Sequence, residues 1–397
     1  MSVLATAVGR VTLKNPLIAG AAEHLIDAAG VRRALQAGVG AVVVKSINES
    51  QAGRDQLQRA EYRALDGEWR EVPWGPQASA QAIIACRSGL TPLAFDAWLD
   101  QTAQLDREAK REDSYAVASL ILAELEPALR MARAIEEAGI RNLELNIGTP
   151  YASQAKGVVA TELDPQRVRA IVGAVRAAVP IPLWVKITGQ SERVPELASA
   201  AFESGADAVV MAGRLLGFIP DVDTLAPMLG TTLGVGGGWN LPLTCHWLAL
   251  SRAKLGRDHP LIATNGAQSG LDIARMMLAG ACAVEMASVV MLRGFAALAA
   301  ALAEFQDYLI AKGLAAPDLI GRAAAAELRC HAHAPRPLAQ LHPAIEDKVH
   351  AQKQSQPRRN RRHARQEARP HRCDPARRNR PACPQRAIDC AARDRSS

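Results

Sequence analysis

The segment EEAGIRNLEL, residues 136–145, ends a helical pattern at a glycine and enters an apolar, strand-like run within a few residues. The same order recurs in ESGADAVVM, residues 203–211, and in LAGACAVEM, residues 278–286. A glycine that closes a helix, followed by a short link into a strand, is typical of the αβ loops of parallel-sheet proteins. The repeated pattern therefore predicts strands that alternate with crossover helices.

Eight short apolar or β-branched runs alternate with helical patterns between residues 11 and 312. They are PLIAG (16–20), GAVVVK (40–45), YAVASL (115–120), NLELN (142–146), PLWVKI (182–187), DAVVMA (207–212), PLIAT (260–264) and CAVEMA (282–287). Eight βα units that close on themselves predict an α/β fold, the (β/α)8 TIM barrel, over residues 1–326. An insertion of about residues 48–95 separates the second strand from its helix, and such segments usually shape the active site.

The positive charge of the chain is concentrated at its end. The whole sequence has a formal charge of +7, but residues 351–397 hold 14 Lys and Arg against 4 Asp and Glu, which leaves 33 against 36 elsewhere. No aromatic residue other than histidine follows Tyr308. We expect a disordered basic tail over residues 327–397, and its Arg-, Pro- and His-rich sequence is also typical of a shifted reading frame. A nucleic-acid-binding tail is the alternative, but the aromatic side chains that stack on bases are absent.

Composition excludes several other classes of protein. No window approaches 18 uninterrupted apolar residues, and the first 11 residues lack the charged and apolar blocks of a signal peptide, so we expect a cytoplasmic protein without membrane contact. The seven cysteines show no metal-ligand spacing. We therefore expect no metal site, and reduced thiols.

Two lysines at strand ends are the first candidates for chemistry. Lys45 ends the second strand, and Lys186 lies inside the otherwise apolar PLWVKI. Because an unpaired buried ammonium group is very costly, Lys186 either forms a structural ion pair with a barrel carboxylate such as Glu144 or Glu285, or binds an anionic or electron-rich cofactor. We favour the cofactor.

Glycine-rich loops point to the same end of the barrel. TNGAQSG (264–270) and MAS (286–288) follow the last two strands, where TIM barrels commonly bind phosphate through backbone N–H groups. GVGGGWN (234–240) would let backbone approach a ligand closely, or it is a plain surface turn.

Together these motifs resemble those of a known family. NPLIAGAAE, GAVVVKS, LELNIGTPY, DPQRVRAIVGAVR, PLWVKI, GADAVVMAG, GGGWNLP and NGAQSGLDIARMMLAGACAVEMAS occur in this order. This set is similar to the FMN-dependent dihydroorotate dehydrogenase family, including the related domain of dihydropyrimidine dehydrogenases, over about residues 11–312. The resemblance implies hydride transfer between a CH–CH bond of a small-molecule substrate and flavin N5.

The resemblance also implies roles for individual residues. Lys186 would contact the N1/O2 edge of the flavin, Lys45 and Ser46 would lie against its ring, and Asn146 would touch both flavin and substrate. Thr149 occupies the place of the family's proton-transferring Cys or Ser, with Lys45 beside the reacting atoms. The remaining cofactor-binding candidates are Gly237, Gly238, Asn265, Gly266, Ala287 and Ser288.

The substrate side departs from the family pattern. Family asparagines that read a pyrimidine ring are replaced by Cys86, Tyr151 and Gly213, which leaves Asn146. A site that loses hydrogen-bond partners for a polar ring loses much of its discrimination, so orotate itself is not the expected ligand. Arg87 and Arg214 could instead pair with a carboxylate substrate, or they are solvated loop charges.

Two other functions stay open on sequence grounds. One is a phosphate-binding TIM-barrel lyase or isomerase without flavin, and the other is a degenerate, inactive flavin-binding member. The electron acceptor is also open between a partner subunit, fumarate, quinone and oxygen, because no iron–sulphur cysteine cluster and no dinucleotide fingerprint is present. Family members of this type are often homodimers.

Overall fold

The computed structural model describes residues 2–148, 164–211, 213 and 215–327. Its strands are β1 (Thr6–Val8), β2 (Val11–Leu13), β3 (Leu17–Ala19), β4 (Ala41–Val43), β5 (Glu61–Leu65), β6 (Ile83–Arg87), β7 (Ala116–Ile121), β8 (Leu143–Asn146), β9 (Leu183–Lys186), β10 (Ala208–Met211), β11 (Leu215–Gly217), β12 (Pro220–Asp221), β13 (Ala226–Pro227), β14 (Leu233–Gly237), β15 (Leu261–Thr264) and β16 (Ala283–Met286).

Eight parallel strands close into a barrel in the order β10-β15-β16-β3-β4-β7-β8-β9. Each of the eight runs expected from the sequence contributes one strand, so the predicted (β/α)8 barrel is confirmed. Side chains alternate between the interior and the surrounding helices because successive residues of a strand point to opposite faces. On β9, Trp184 belongs to the apolar cluster inside the barrel, whereas Leu183 and Val185 pack in the larger cluster that includes the helices.

The helices follow the strands as the sequence pattern indicates. They are α1 (Ala28–Gln36), α2 (Gln51–Asp55), α3 (Phe95–Arg111), α4 (Leu125–Glu137), α5 (Pro165–Ala178), α6 (Val194–Glu203), α7 (Leu241–Leu255), α8 (Gly270–Ala279), α9 (Ser288–Arg293), α10 (Ala296–Lys312), α11 (Ala316–Leu319) and α12 (Arg322–Glu327). Helix α5 begins at the expected cap, where the Asp164 side chain accepts a hydrogen bond from the Gln166 N–H and Pro165 occupies the first turn.

The insertion after β4 forms part of a second sheet. Strands β5 and β6 pair antiparallel with each other, and β6 pairs with β14, giving a four-stranded sheet in the order β11-β14-β6-β5. Two segments far apart in sequence, the insertion and the loop region after β10, therefore form one structure. Helix α3 begins at Phe95, where the insertion was expected to end.

The N-terminal hairpin of β1 and β2 packs against the barrel interior. Val8, Val11 and Leu13 join Ile18 and Trp184 in one apolar cluster. Within the described residues, no helix is long and apolar enough to cross a membrane. The predicted disordered or frameshifted tail lies outside the described residues from position 328 onward.

Candidate active site

One deep cavity opens among the carboxyl ends of the barrel strands and the four-stranded sheet. It encloses about 1040 Å³, counted out to its open mouth. Its lining brings together residues from eleven segments: Gly20, Ala21, Ala22, Glu23, Lys45, Ser46, Tyr62, Ile84, Cys86, Ser88, Gly89, Leu90, Ile121, Asn146, Lys186, Gly213, Val235, Gly236, Thr264, Asn265, Gly266, Ala267, Glu285, Ala287, Ser288 and Met291. A cavity of this size at the carboxyl face is where TIM-barrel enzymes bind ligands.

The floor of the cavity, defined by Lys186, Glu285 and Asn146, contains a buried ion-paired group. Lys186 Nζ lies 3.0 Å from Glu144 Oε2 and 2.7 Å from Glu285 Oε2. Burial alone would lower the pKa of Lys186, but the two carboxylates outweigh it and raise that pKa above its ordinary value. Lys186 is thus a permanent cation, and the structural ion pair considered from sequence is present at a position that also lines the cavity.

The carboxyl groups of Glu144 and Glu285 differ in their hydrogen-bond partners. Glu144 accepts a hydrogen bond from Ser119 Oγ at 3.2 Å, and Ser119 Oγ lies 2.8 Å from Ser46 Oγ. Glu285 Oε1 is buried and has no hydrogen-bond partner among the described residues. Burial, then repulsion from Glu144, raises the pKa of Glu285 to about 8.

A second buried pair lies beside the floor. Lys45 Nζ is 3.0 Å from Glu23 Oε1, and the Tyr62 hydroxyl donates to Glu23 Oε2. Burial would raise the pKa of Glu23, but Lys45, the Tyr62 hydroxyl and the Gly89 N–H together lower it below its ordinary value. Glu23 therefore stays a carboxylate that holds Lys45 in place at neutral pH.

A further part of the lining comes from the four-stranded sheet and its flanking residues. We call it the insertion wall and define it by Tyr62, Ile84, Cys86, Ser88 and Val235. Residues 84, 86 and 88 line the cavity at every second position, as expected along one face of a strand.

Arg87 belongs to the other face of β6. Its guanidinium donates to the Arg59 carbonyl at 2.7 Å and to the Leu229 carbonyl at 2.9 Å. Arg87 is absent from the cavity lining, so the structure gives no support to its pairing with a substrate carboxylate.

The loops after β15 and β16 form a tightly packed cradle. Gly266 adopts φ +127, and a Cβ there would lie 2.7 Å from the Leu241 backbone. Asn265 has φ +70, unusual for a residue other than glycine, and its buried Nδ2 has no partner among the described residues. Asn265 and Gly266 both line the cavity, so the unpartnered amide lies where a ligand could accept its hydrogen bond.

The neighbouring polar groups complete this cradle. Gln268 Nε2 donates to Ser288 Oγ at 2.9 Å, and Gln268 Oε1 is buried without a partner among the described residues. Gly236 lines the cavity, and a Cβ there would lie 3.0 Å from Asn265 Oδ1. The two glycines expected from sequence, Gly237 and Gly238, are not in the lining, because they pack against the carbonyls of Ala82 and Ala80.

Asn146 ends β8 at the floor. Its Oδ1 accepts a hydrogen bond from the Gly148 N–H at 3.1 Å, which fixes the amide in the turn that leaves the strand. A Cβ on Gly148 would lie 2.5 Å from the backbone of Ile187, so only glycine fits this turn. The catalytic candidate Thr149 and the substrate candidates Tyr151 and Arg214 lie outside the described residues.

Most of the expected site residues that the structure describes meet at this cavity. They are Lys45, Ser46, Cys86, Asn146, Lys186, Gly213, Asn265, Gly266, Ala287 and Ser288. Sequence reasoning missed Glu23, Tyr62 and Ser119. Ser119 could have been found from strand alternation, and Glu23 stands at the end of the NPLIAGAAE motif. No group of three or more metal-ligating side chains occurs among the described residues.

The structure is a closed (β/α)8 barrel with two buried lysines at the carboxyl ends of its strands and glycine-rich loops after its last two strands. These features define a TIM-barrel enzyme. The sequence model of the dihydroorotate dehydrogenase family matches residues 77–309. The catalytic subunit of dihydroorotate dehydrogenase B (NAD(+)) from Methanocella arvoryzae is 30% identical over 328 residues, which is 79% of this chain and 96% of that protein. Dihydroorotate dehydrogenase A (fumarate) from Lacticaseibacillus paracasei is 34% identical over 171 residues, 42% of this chain and 57% of that protein.

The solved structures give the same fold. A crystal structure of the Eimeria tenella dihydroorotate dehydrogenase in complex with ferulenol superposes with a TM-score of 0.63 at 17% identity, covering 81% of this chain and 89% of that one. The chain belongs to the dihydroorotate dehydrogenase family. It is accordingly an oxidoreductase of a flavin-dependent family, and the non-flavin lyase or isomerase considered from sequence is not supported.

Proposed function

We propose that this chain binds FMN in the cavity and transfers a hydride between flavin N5 and a carbon of a substrate CH–CH bond, as dihydroorotate and dihydropyrimidine dehydrogenases do. One observation carries the proposal. Lys45, Asn146, Lys186 and the loops after β15 and β16, which come from five separate parts of the sequence, line a single cavity at the carboxyl face.

The described residues fit a flavin with its phosphate at the cradle. The orphaned amide of Asn265 and the backbone held open by Gly266 supply donors at one end, and the Lys186 ammonium group supplies a fixed cation at the floor. When bound, the flavin would supply the hydride chemistry that protein side chains lack. Lys186 would stabilise negative charge at the N1/O2 edge, while Lys45 and Ser46 would orient the ring.

Proton transfer needs a group beside the reacting carbon. We assign this role to Thr149, which follows Gly148 in the sequence. A threonine hydroxyl is a weak base, so it would pass the proton to water or to a neighbouring group. Replacing Thr149 with Val should slow flavin reduction by about 100-fold or more without weakening FMN binding.

The insertion wall argues for a substrate other than orotate. Ile84, Cys86 and Val235 offer few hydrogen bonds to the edge of a polar ring, and Gly213 offers no side chain at all. Arg87, which could have bound a carboxylate, is held on the far side of β6. We propose a small substrate whose activated CH–CH bond is recognised chiefly through Asn146, with Tyr151 and Arg214 as further candidate contacts.

The electrons must leave through an acceptor. The relatives named above differ here, since one is the catalytic subunit of an NAD(+) enzyme and the other uses fumarate. We propose transfer to a partner subunit, because the Methanocella arvoryzae relative aligns over 96% of its length. Co-purification with an electron-transfer protein would support this choice, and rapid reoxidation by fumarate alone would contradict it.

The decisive experiment is purification, identification of the bound cofactor, and anaerobic titration with dihydropyrimidines, dihydroorotate and saturated acids. The expected result is stoichiometric FMN that is reduced by a member of the panel other than dihydroorotate. Protein that binds no flavin would overturn the proposal. Flavin that binds but is reduced by no compound would favour the inactive, degenerate member instead.

A further inference from the structure

The ion-paired cluster at the floor contains two carboxyl groups but one cation. Glu144, Lys186 and Glu285 form a three-membered cluster on β8, β9 and β16, and all three side chains are buried. Two carboxylates and one ammonium group carry a net charge of −1 when all are ionised. Such an excess is costly away from water, so a cluster of this kind retains a proton.

The proton has a defined place in the cluster. Glu144 Oε1 accepts hydrogen bonds from both Lys186 Nζ and Ser119 Oγ, and Glu144 Oε2, which has no hydrogen-bond partner among the described residues, lies 3.0 Å from Lys186 Nζ. Glu285 is bonded to Lys186 through Oε2, while its buried Oε1 has no partner among the described residues. Of the two carboxyl groups, Glu285 has fewer donors to stabilise its charge, so it is the one that better accommodates a proton, in agreement with the raised pKa of Glu285.

We propose that Glu285 is a positioning residue that holds the Lys186 ammonium group between two carboxylates and, by gaining or losing one proton, sets the net charge beneath the cofactor. This inference rests on the proposed binding of FMN. Negative charge that gathers at the N1/O2 edge on reduction would meet a neutral cluster when Glu285 is protonated and a cluster of charge −1 when it is not. Above neutral pH, Glu285 would therefore take up one proton from solvent as the cofactor is reduced.

Other charged groups near the cluster do not replace this role. Lys45 lines the same cavity but is neutralised by Glu23 at 3.0 Å. The neighbouring barrel strands contribute Ser119 from β7 and Thr264 from β15, and Gly20 follows β3. None of these three residues titrates near neutral pH. Glu144 and Lys186 are therefore the charged groups that face Glu285 among the described residues.

The test compares wild type, Glu285→Gln and the control Glu203→Gln, which removes a surface carboxylate paired with Arg169. The equilibrium constant for reduction of bound FMN is measured between pH 6.5 and 9 against redox dyes. At pH 6.5 Glu285→Gln should match wild type within about twofold, and at pH 9 it should favour reduction by about tenfold more than wild type, the size expected for one charge at several ångströms. Curves for wild type and Glu285→Gln that stay parallel across this range would overturn the proposal.

A second measurement needs no cofactor. Infrared spectroscopy of the apoprotein at pH 7 should show the carbonyl stretch of a buried protonated carboxyl group, which Glu285→Gln removes and Glu203→Gln retains. Should Glu285→Gln fail to fold, Glu144→Gln serves instead, because loss of the neighbouring charge should ionise Glu285 at pH 7 and abolish the same band. A chain that binds no FMN would defeat the proposed function, while an apoprotein without the band would defeat the assignment to Glu285.

Discussion

The floor and the insertion wall line one cavity but are built differently. The floor carries fixed charges on regular barrel strands, with Lys186 within 3.0 Å of two carboxylates. The insertion wall is largely apolar and comes from β5, β6 and β14, which join only in the second sheet. The residues proposed to bind the cofactor thus belong mainly to the barrel itself, whereas the substrate is proposed to bind between Asn146 of the barrel and the added sheet.

The floor and the insertion wall should therefore differ in how well they tolerate substitutions. A buried cation at the floor depends on several partners at once, so a change there disturbs the whole cluster. A residue on one face of β6 can change without rebuilding the barrel, because its neighbours in the strand point to the other side. We expect changes at the floor to affect both folding and cofactor binding, and changes at the β6 positions of the wall to affect substrate choice alone.

The largest effect is expected for Lys186→Met, which leaves two buried carboxylates without their cation. Removal of one partner from a buried ion pair typically costs about 3–5 kcal/mol, so the free energy of unfolding should fall by about this amount. Urea unfolding of the apoprotein measures it. The double variant Lys186→Met with Glu285→Gln should recover part of the loss. An unchanged unfolding midpoint in Lys186→Met would show that the cluster does not hold the floor together.

The next effect concerns the cradle. Gly266→Ala places a Cβ 2.7 Å from the Leu241 backbone at φ +127, so the loop after β15 must shift. FMN affinity should fall by about 100-fold or more, measured by quenching of flavin fluorescence. Gly75→Ala is the matched control, because Gly75 has φ +134 but nothing within 4 Å of the added Cβ. Equal FMN affinity in the two variants would place the phosphate elsewhere.

The barrel could be predicted from sequence because each βα unit is a local signal. Strand runs, helix caps such as Asp164-Pro165 and the glycines that close helices all act over a few residues. The convergence of Lys45, Asn146 and Lys186 then follows from closure of the sheet, since carboxyl ends of parallel strands meet at one face.

The second sheet could not be predicted in the same way. Pairing of β6 with β14 joins positions near 85 and 235, and neither strand alone specifies its partner. For the same reason the sequence could not decide which side of β6 faces the cavity, and the Arg87 guanidinium binds the Arg59 carbonyl instead of lining the cavity. For Lys186 the sequence offered two interpretations. The ion pair is present, its side chain also lines the cavity, and cofactor binding stays a prediction.

A smaller effect should separate the wall from the floor. Cys86→Asn restores an amide on the insertion wall at the place where the family has asparagine, and one added hydrogen bond to a polar ring contributes about 1 kcal/mol. The rate of anaerobic flavin reduction by dihydroorotate should rise roughly fivefold, while FMN affinity stays the same. Cys86→Ser is the matched control of nearly unchanged size. Weaker FMN binding in Cys86→Asn would show that the wall also serves the cofactor.

The last expected effect is a pH dependence beside Glu23. His24 stacks edge-on against Phe295 with ring centroids 5.7 Å apart, and neither ring nitrogen has a hydrogen-bond partner among the described residues. Burial lowers the pKa of His24 to about 3, so the folded state excludes a proton that the unfolded chain binds below about pH 6.5.

Stability contributed by neutral His24 is present above pH 6.5 and is lost as the pH falls toward 3. His24→Phe keeps an aromatic ring in the same place and should flatten the fall in unfolding free energy between pH 6.5 and 4 by about 1–2 kcal/mol. Urea midpoints at several pH values measure this. His246→Phe, on α7 away from the cavity, is the control and should keep the slope of wild type. If the unfolding free energy of His24→Phe falls with pH as steeply as that of wild type, the His24 ring is reached by water in the folded state. The residues beside Glu23 would then not share the burial of the floor.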